Sequence, residues 1–219
     1  MTRPISFFLI VIAPVMAISL AYLGLETSHS NPSGWFLVFM GMAYAIGGPV
    51  YAWREKDKPP AQREERGDRS FWLVQPGFII AIFGAPLEYL YLPEILPREG
   101  WIGTIGLLLV LLSVALHSSA RRTIRGQFSG HLQIQPEHRL VQSGPYRYIR
   151  HPAYLGYLLM AGGIGIGYSS LISCGAVILL LLPGLVFRIR VEERLLMEAF
   201  GDEYRKYAQK TKRLIPRIW

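Results

Sequence analysis

The sequence predicts an all-α integral membrane protein. It has about six membrane helices, the last two paired as a tight hairpin, with a cytoplasmic loop before the hairpin and a C-terminal helix after it. Three observations carry this reading. The 219 residues are 51% hydrophobic and only 17% charged, with mean hydropathy +0.28, whereas soluble domains carry about 25% charged residues. The charges are gathered into blocks, which leaves apolar runs near the roughly 20 residues that cross a hydrocarbon core. Lys and Arg then alternate from one inter-helical segment to the next, as membrane orientation demands.

The first apolar run, 5–25, exceeds the roughly 7–15 residues of a signal-peptide core and lacks a small-x-small cleavage site after it, so it reads as a span. The second, 35–53, has Trp35 and Trp53 at its ends, where interfacial aromatics belong. The third, 71–92, is interrupted by Pro76 and Pro86 and carries Glu88. The fourth is 101–117. The stretch 153–187 is apolar over 35 residues, too long for one untilted helix. Gly165, Gly167, Tyr168, Ser169 and Ser170 offer a turn near its middle, so it reads as a hairpin of two short helices.

Basic residues test the layout independently. The successive non-membrane segments carry one, none, six, one, six, none and nine of the 23 Lys and Arg. Both termini and the two basic loops are therefore expected on the cytoplasmic side, in a bacterial inner membrane or the endoplasmic reticulum. The net charge of +8 is an orientation signal that meets anionic headgroups, and nothing beyond charge points to nucleic acid. No obligate protein partner is indicated; the expected partner is the bilayer. Cys174 is the only cysteine, which excludes an internal disulfide and any Cys-based zinc site; it reads as a buried small hydrophobe.

Two parts follow. Residues 1–117 hold four spans with a charged linker at 54–70, and 118–219 hold everything chemically specific: a loop at 118–152, the hairpin at 153–187, and an amphipathic helix and tail at 188–219. In the loop, Gly126 and Gly130 break helix, and 131–135 alternates as a short strand with Gln133 and Gln135 on one face. His138 to Gly156 then brings two histidines, several arginines and three tyrosines to the mouth of the hairpin. Gly144-Pro145 makes a turn, and Pro152 biases His151 to extended backbone while starting the next helix. Without an accompanying Asp, Glu or Cys set, His138 and His151 predict no metal site.

Beyond the hairpin, Val191, Leu195 and Ala199, with Leu196, Phe200, Tyr204 and Tyr207, describe one broad helical face. Arg188 and Glu192 are four apart and project to one side near the membrane surface. An exposed pair of this kind contributes only a few tenths of a kcal/mol; at a membrane cavity it marks function. Gly162, Gly163, Gly165 and Gly167 follow no strand and read as close helix packing, not a dinucleotide loop.

The run His138-Arg139-Leu140-Val141 through Gly144-Pro145-Tyr146 to Arg150-His151-Pro152-Ala153-Tyr154-Leu155-Gly156 resembles the signature of the isoprenylcysteine carboxyl methyltransferase family and its phospholipid-methyltransferase relatives. The second block, Arg188, Glu192-Glu193, Leu196, Phe200-Gly201, Glu203-Tyr204, Tyr207 and Leu214-Ile215-Pro216, resembles the same family's tail, in the same order. Together they span about the last 80 residues. The resemblance implies an S-adenosylmethionine-dependent methyltransferase whose cofactor is held by the loop and the start of the last helix. It assigns cofactor contact to His138, Arg139, Leu140, Val141, Tyr146, His151, Pro152, Ala153, Tyr154 and Glu192, and a family glutamine to Gln133 or Gln135. Arg188 would face the acceptor; Arg188 and Glu192 would form the catalytic pair.

These residue types suit the chemistry. Methyl transfer from a sulfonium is an in-line displacement in which positioning supplies much of the rate and no metal is required. Glu192 offers acceptors to an ammonium or ribose, and backbone and histidine donors suit a carboxylate. Tyr146 and Tyr154 suit an adenine or sulfonium face. Arg188 is a clamp for an anionic acceptor, not a base. The acceptor is expected to be amphiphilic, offering a carboxylate, thiol or amine, and to enter from the bilayer. Two alternatives stand beside this reading: an NADPH-dependent membrane sterol or enone reductase, whose pattern has Asn where this chain has Ala153, and a non-catalytic lipid-binding scaffold.

Overall fold

The computed structural model describes residues 13–55, 70–124, 140–215 and 219. Among these residues six helices follow in order: α1 (Ala13–Ser28), α2 (Ser33–Glu55), α3 (Ser70–Tyr91), α4 (Gly100–Thr123), α5 (Pro152–Gly167) and α6 (Leu171–Lys210). Between α4 and α5 lies a 3-10 turn, Gly144–Arg147, and the only β pairing among the described residues is the bridge of Ile149 with Lys212. Leu73–Tyr91, Gly100–Thr123 and Leu171–Lys210 are long and apolar enough to cross a membrane, and Ser33–Ala43 and Pro152–Gly167 are shorter apolar helices. Side chains such as Ile18, Phe39, Leu108, Leu112, Ile178 and Leu179 are more than half exposed. So many uncovered apolar residues need lipid around them. The fold is a multi-pass integral membrane bundle.

The hairpin closes as expected: α5 ends at Gly167, Tyr168 caps it, and Ser169, with φ of 51°, reverses the chain. Two features differ from the sequence reading. The last helix is not short: it runs from Leu171 to Phe200, about 45 Å at 1.5 Å per residue, before its path breaks at Gly201. Its apolar half, 171–187, is the arm of the hairpin, and the amphipathic segment from Arg188 onward continues the same rod. That segment is also not one continuous face, because Gly201 (φ 51°, ψ −121°) breaks the helical path. Tyr204 and Tyr207 beyond the break are buried, while Ala199 is exposed. Pro76 and Pro86 both lie inside α3, which runs through them. Cys174 is only partly buried and packs against Gly165.

Small residues set the helix spacing. A Cβ on Gly106 would lie 2.3 Å from the Gly167 Cα, and one on Gly163 would lie 2.9 Å from the Leu109 Cβ, so α4 and α5 touch backbone to backbone. While Gly162 faces open space, Gly163, Gly165 and Gly167 of α5 therefore act in packing, as their setting predicted. Gly24 of α1 and Gly34 of α2 do the same. A core of Leu20, Leu37, Ile82, Val110, Ile164 and Tyr168 joins α1 through α5, and Val74, Ala81, Ala161, Leu181 and Leu185 join α3, α5 and α6.

The turn end of the hairpin is polar and closed. The buried Glu88 carboxylate accepts from the Ser170 hydroxyl, the Leu171 amide (3.1 Å) and the Ile172 amide (2.9 Å). It thus holds the N-terminus of α6, where orphan amides and the helix dipole favour an anion. Ser170 caps the helix by accepting from the Ser173 amide at 3.0 Å. Thr27 and Tyr168 share a 2.7 Å hydroxyl hydrogen bond, and the Asn31 amide donates to the Gly167 carbonyl at 2.7 Å. Arg98 binds the Tyr89 carbonyl at 2.8 Å and lies over the Tyr89 ring.

Candidate active site at the mouth of the hairpin

At the opposite end of α5 the chain enters through a tight turn. Gly144 has φ of 58°, and a Cβ there would lie 2.6 Å from the Thr123 Oγ1, so both its backbone and its packing against α4 call for glycine. Pro145 follows in the 3-10 turn. Pro152 is the first residue of α5, where a missing amide costs nothing, and His151 is its N-cap at φ −123°, ψ 59°. That is non-helical but not the extended geometry the sequence suggested. The reason is double engagement: the His151 amide donates to the Arg213 carbonyl at 3.0 Å, while its carbonyl accepts from the Tyr154 and Leu155 amides.

One turn into α5, the Tyr154 ring stacks on the His151 ring at 5.5 Å between centroids, 12° from parallel. The α5–α6 hairpin brings Arg188 and Glu192 to this ring. Arg188 Nε donates to the Tyr154 hydroxyl at 2.8 Å, and that hydroxyl donates to Glu192 Oε2 at 2.7 Å. The two residues predicted as a pair thus meet through a phenol. The setting is unlike an exposed ion pair: Arg188 is buried at 6% exposure, and Glu192 is 30% exposed. Glu192 therefore presents a carboxylate to the opening while Arg188 sits deeper, above the apolar hairpin.

His151 is also buried, and its two ring nitrogens face the two adjacent carboxylates, Nδ1 at 3.7 Å from Glu192 and Nε2 at 3.4 Å from Glu193. Among the described residues, His151 Nε2 and the Tyr204 hydroxyl are the buried side-chain polar atoms without an aligned hydrogen bond. Tyr146 comes to the same place: burial raises its pKa, and the nearby Glu192 and Tyr207 raise it further, so its phenol stays neutral beside Glu192. Its carbonyl accepts from the Tyr207 hydroxyl at 2.7 Å.

Of the predicted site residues, the structure thus gathers Tyr146, His151, Pro152, Ala153, Tyr154, Arg188 and Glu192. Leu140 and Val141 stand half-buried just before the turn. Gln133, Gln135, His138 and Arg139, with the strand-like alternation around them, lie outside the described residues. Among the described residues no group of His, Cys, Asp and Glu has the geometry to hold a metal.

Sequence reasoning named Arg150 and Glu193 in the two signature blocks without giving either a role, and passed over Arg213. Arg150 Nε donates to Glu193 Oε1 at 2.7 Å, and Arg213 Nε donates to Glu193 Oε2 at 2.8 Å. Arg150 and Glu193 flank His151 and Glu192 in the chain, and that adjacency was the available signal. Arg213 offered none, being remote from both in sequence and outside any periodic face.

The phospholipid methyltransferase family matches residues 101–203. A probable protein-S-isoprenylcysteine O-methyltransferase of Oryza sativa subsp. indica is 32% identical over 151 residues, covering 67% of this chain and 79% of the relative. Protein-S-isoprenylcysteine O-methyltransferase B of Arabidopsis thaliana is 30% identical over 150 residues, covering 66% and 76%. Among solved structures, the eukaryotic intramembrane Ras methyltransferase ICMT shares the fold, with TM-score 0.63, 22% identity, and coverage of 96% of this chain and 77% of that one. The reductase and scaffold alternatives draw no support from these relatives. With its hairpin, its Arg-His-Pro-x-Tyr loop and its double glutamate in one place, the chain belongs to the isoprenylcysteine carboxyl methyltransferase and phospholipid methyltransferase family of S-adenosylmethionine-dependent membrane enzymes.

Proposed function

We propose that the enzyme methylates a carboxylate on an amphiphilic acceptor, in the manner named for its isoprenylcysteine relatives, with Glu192 on the donor side and Arg188 on the acceptor side. The observation that carries this is the chain Arg188–Tyr154–Glu192 at the end of an apolar hairpin. A fixed cation lies toward the membrane and a half-open anion toward the loop. Residues 118–219 then form the methyltransferase region, with the first four helices as its scaffold, and the basic segments put the site on the cytoplasmic face.

The residues fit the cofactor. Glu192 has an oxygen face for an ammonium or ribose hydroxyls, and Tyr146 and Tyr154 are neutral aromatic surfaces suited to a purine or a sulfonium. Bound S-adenosylmethionine supplies an electrophilic methyl group. The protein's own work is placement: Arg188 holds the acceptor carboxylate with one oxygen in line, while Tyr154 keeps Arg188 and Glu192 at a fixed separation. A carboxylic acid of ordinary pKa near 4 is already ionised at neutral pH. No side chain needs to remove a proton, which explains a centre built from a permanent cation instead of a base. An amine acceptor would bring a second cation to Arg188.

The test is equilibrium binding of S-adenosylmethionine together with turnover on prenylated-cysteine and other amphiphilic carboxylates. Glu192→Gln should weaken donor binding about tenfold or more, the scale of a lost charged hydrogen bond. Arg188→Ala should leave that binding near wild type while turnover falls about a hundredfold. Equal losses of donor affinity in both variants, or turnover only on freely soluble acceptors, would overturn this division of labour.

A further inference from the structure

The adjacent carboxylates Glu192 and Glu193 are used differently. Glu193 is only 12% exposed, and both of its oxygens are taken by guanidinium groups. Those groups come from segments far apart in sequence: Arg150 ends the loop, and Arg213 follows α6. The same two segments also pair through backbone, with the Arg150 amide on the Lys212 carbonyl at 2.7 Å and the His151 amide on the Arg213 carbonyl at 3.0 Å. Arg150 Nη1 adds bonds to the Ala208 carbonyl at 2.9 Å and to the Thr211 carbonyl. His151 is therefore fixed by its amide on Arg213, by its ring between Glu192 and Glu193, and by stacking on Tyr154.

We propose that Arg150, Glu193 and Arg213 are positioning residues: an ionic clasp that fastens residues 211–213 across the loop. By doing so it sets His151 and leaves Glu192 available to S-adenosylmethionine. The proposal rests on the reading of Glu192 as the donor-side carboxylate. No member of the clasp has to touch donor or acceptor; all three act through His151 and the start of α5. Glu193 is the keystone because it alone offsets two cations, and charged hydrogen bonds of this kind are the strong ones. Neutralising it leaves two guanidinium groups facing each other across the joint. Removing Arg213 instead leaves Glu193 with Arg150, a milder change.

The experiment uses the full chain in detergent, with three readouts: the Kd for S-adenosylmethionine, kcat at saturating donor, and the rate of tryptic cleavage at Lys210 and Lys212. In Glu193→Gln the Kd should rise about tenfold, consistent with loss of charged hydrogen bonds, while kcat stays within about twofold of wild type. Cleavage should accelerate, since the segment no longer pairs with the loop. Glu193→Asp keeps the charge and should recover most of both losses. Arg213→Gln should be milder, and the double variant Glu193→Gln/Arg213→Gln should lose less than the two single variants combined. Wild-type Kd and wild-type cleavage in Glu193→Gln, or a loss confined to kcat, would overturn the clasp. If Glu192→Gln binds donor as tightly as wild type, the reading of the site fails instead, and the cleavage rates still judge the clasp. Should Glu193→Gln not yield folded protein, Arg213→Gln decides by the same three measurements.

Discussion

The hairpin of α5 and α6 has a polar cluster at each end, and the two clusters are finished differently. At the turn end, Glu88 spends its carboxylate on two amides and a hydroxyl, and Thr27, Tyr168 and Asn31 close on one another or on backbone. At the loop end, Glu192 stays 30% exposed and holds one phenol, and the buried His151 Nε2 and Tyr204 hydroxyl lack aligned partners. A fully satisfied polar cluster stabilises a fold. One left partly open beside a cation is poised for a ligand. Both ends carry glutamates in a membrane protein, so the residue type alone does not separate structure from chemistry; the degree of satisfaction does.

Three variants test that contrast. The largest effect is expected from Glu88→Ala. It strands the Leu171 and Ile172 amides and the Ser170 hydroxyl in an apolar setting and should cost about 3 kcal/mol of stability, read as a lowered Tm in detergent. The folded fraction should bind S-adenosylmethionine with wild-type Kd; a changed Kd would merge the two ends into one functional unit. Next is Tyr154→Phe, which removes the hydroxyl between Arg188 and Glu192. It should lower kcat/KM about tenfold, or about 1.4 kcal/mol, with little change in Tm, the reverse of the Glu88 pattern. The smallest is Thr27→Val, which leaves the Tyr168 hydroxyl unpaired and should cost about 1 kcal/mol with no effect on turnover. A loss of turnover there would show that the turn end is not purely structural.

Much of the candidate site was legible in the sequence because its parts are local. Arg188 and Glu192 are one helical turn apart, His151 to Tyr154 are contiguous, and the turn at 168–170 announced the hairpin that would join them. What the chain did not disclose depends on distance or on single atoms. Nothing in a helical period says that the Tyr154 hydroxyl will stand between Arg188 and Glu192. The pairing of 149–151 with 212–213 joins segments some sixty residues apart through backbone atoms, which any side chains could present. The break at Gly201 was hidden because the apolar spacing on either side continues across it, and the spacing carries no record of a φ of 51°. Glu88 read only as a charge in a span; its role appeared once the hairpin turn delivered the first amides of α6 to it.

Between the Glu88 contact and Arg188, residues Val177–Leu181 of α6 form a π turn, a wider coil that accommodates one extra residue, and Leu181 there packs against Gly77 of α3. Each residue of an α-helix advances about 100° around the axis. The π turn therefore works as a phase setting on a single shaft, held at one end by Glu88 and carrying Arg188 and Glu192 at the other. Because the wider turn absorbs the extra residue, taking one residue out of 177–181 would return it to α geometry with Arg188 and Glu192 still facing Tyr154, whereas taking one out of the plain helix at 182–187 would swing both about 100° away.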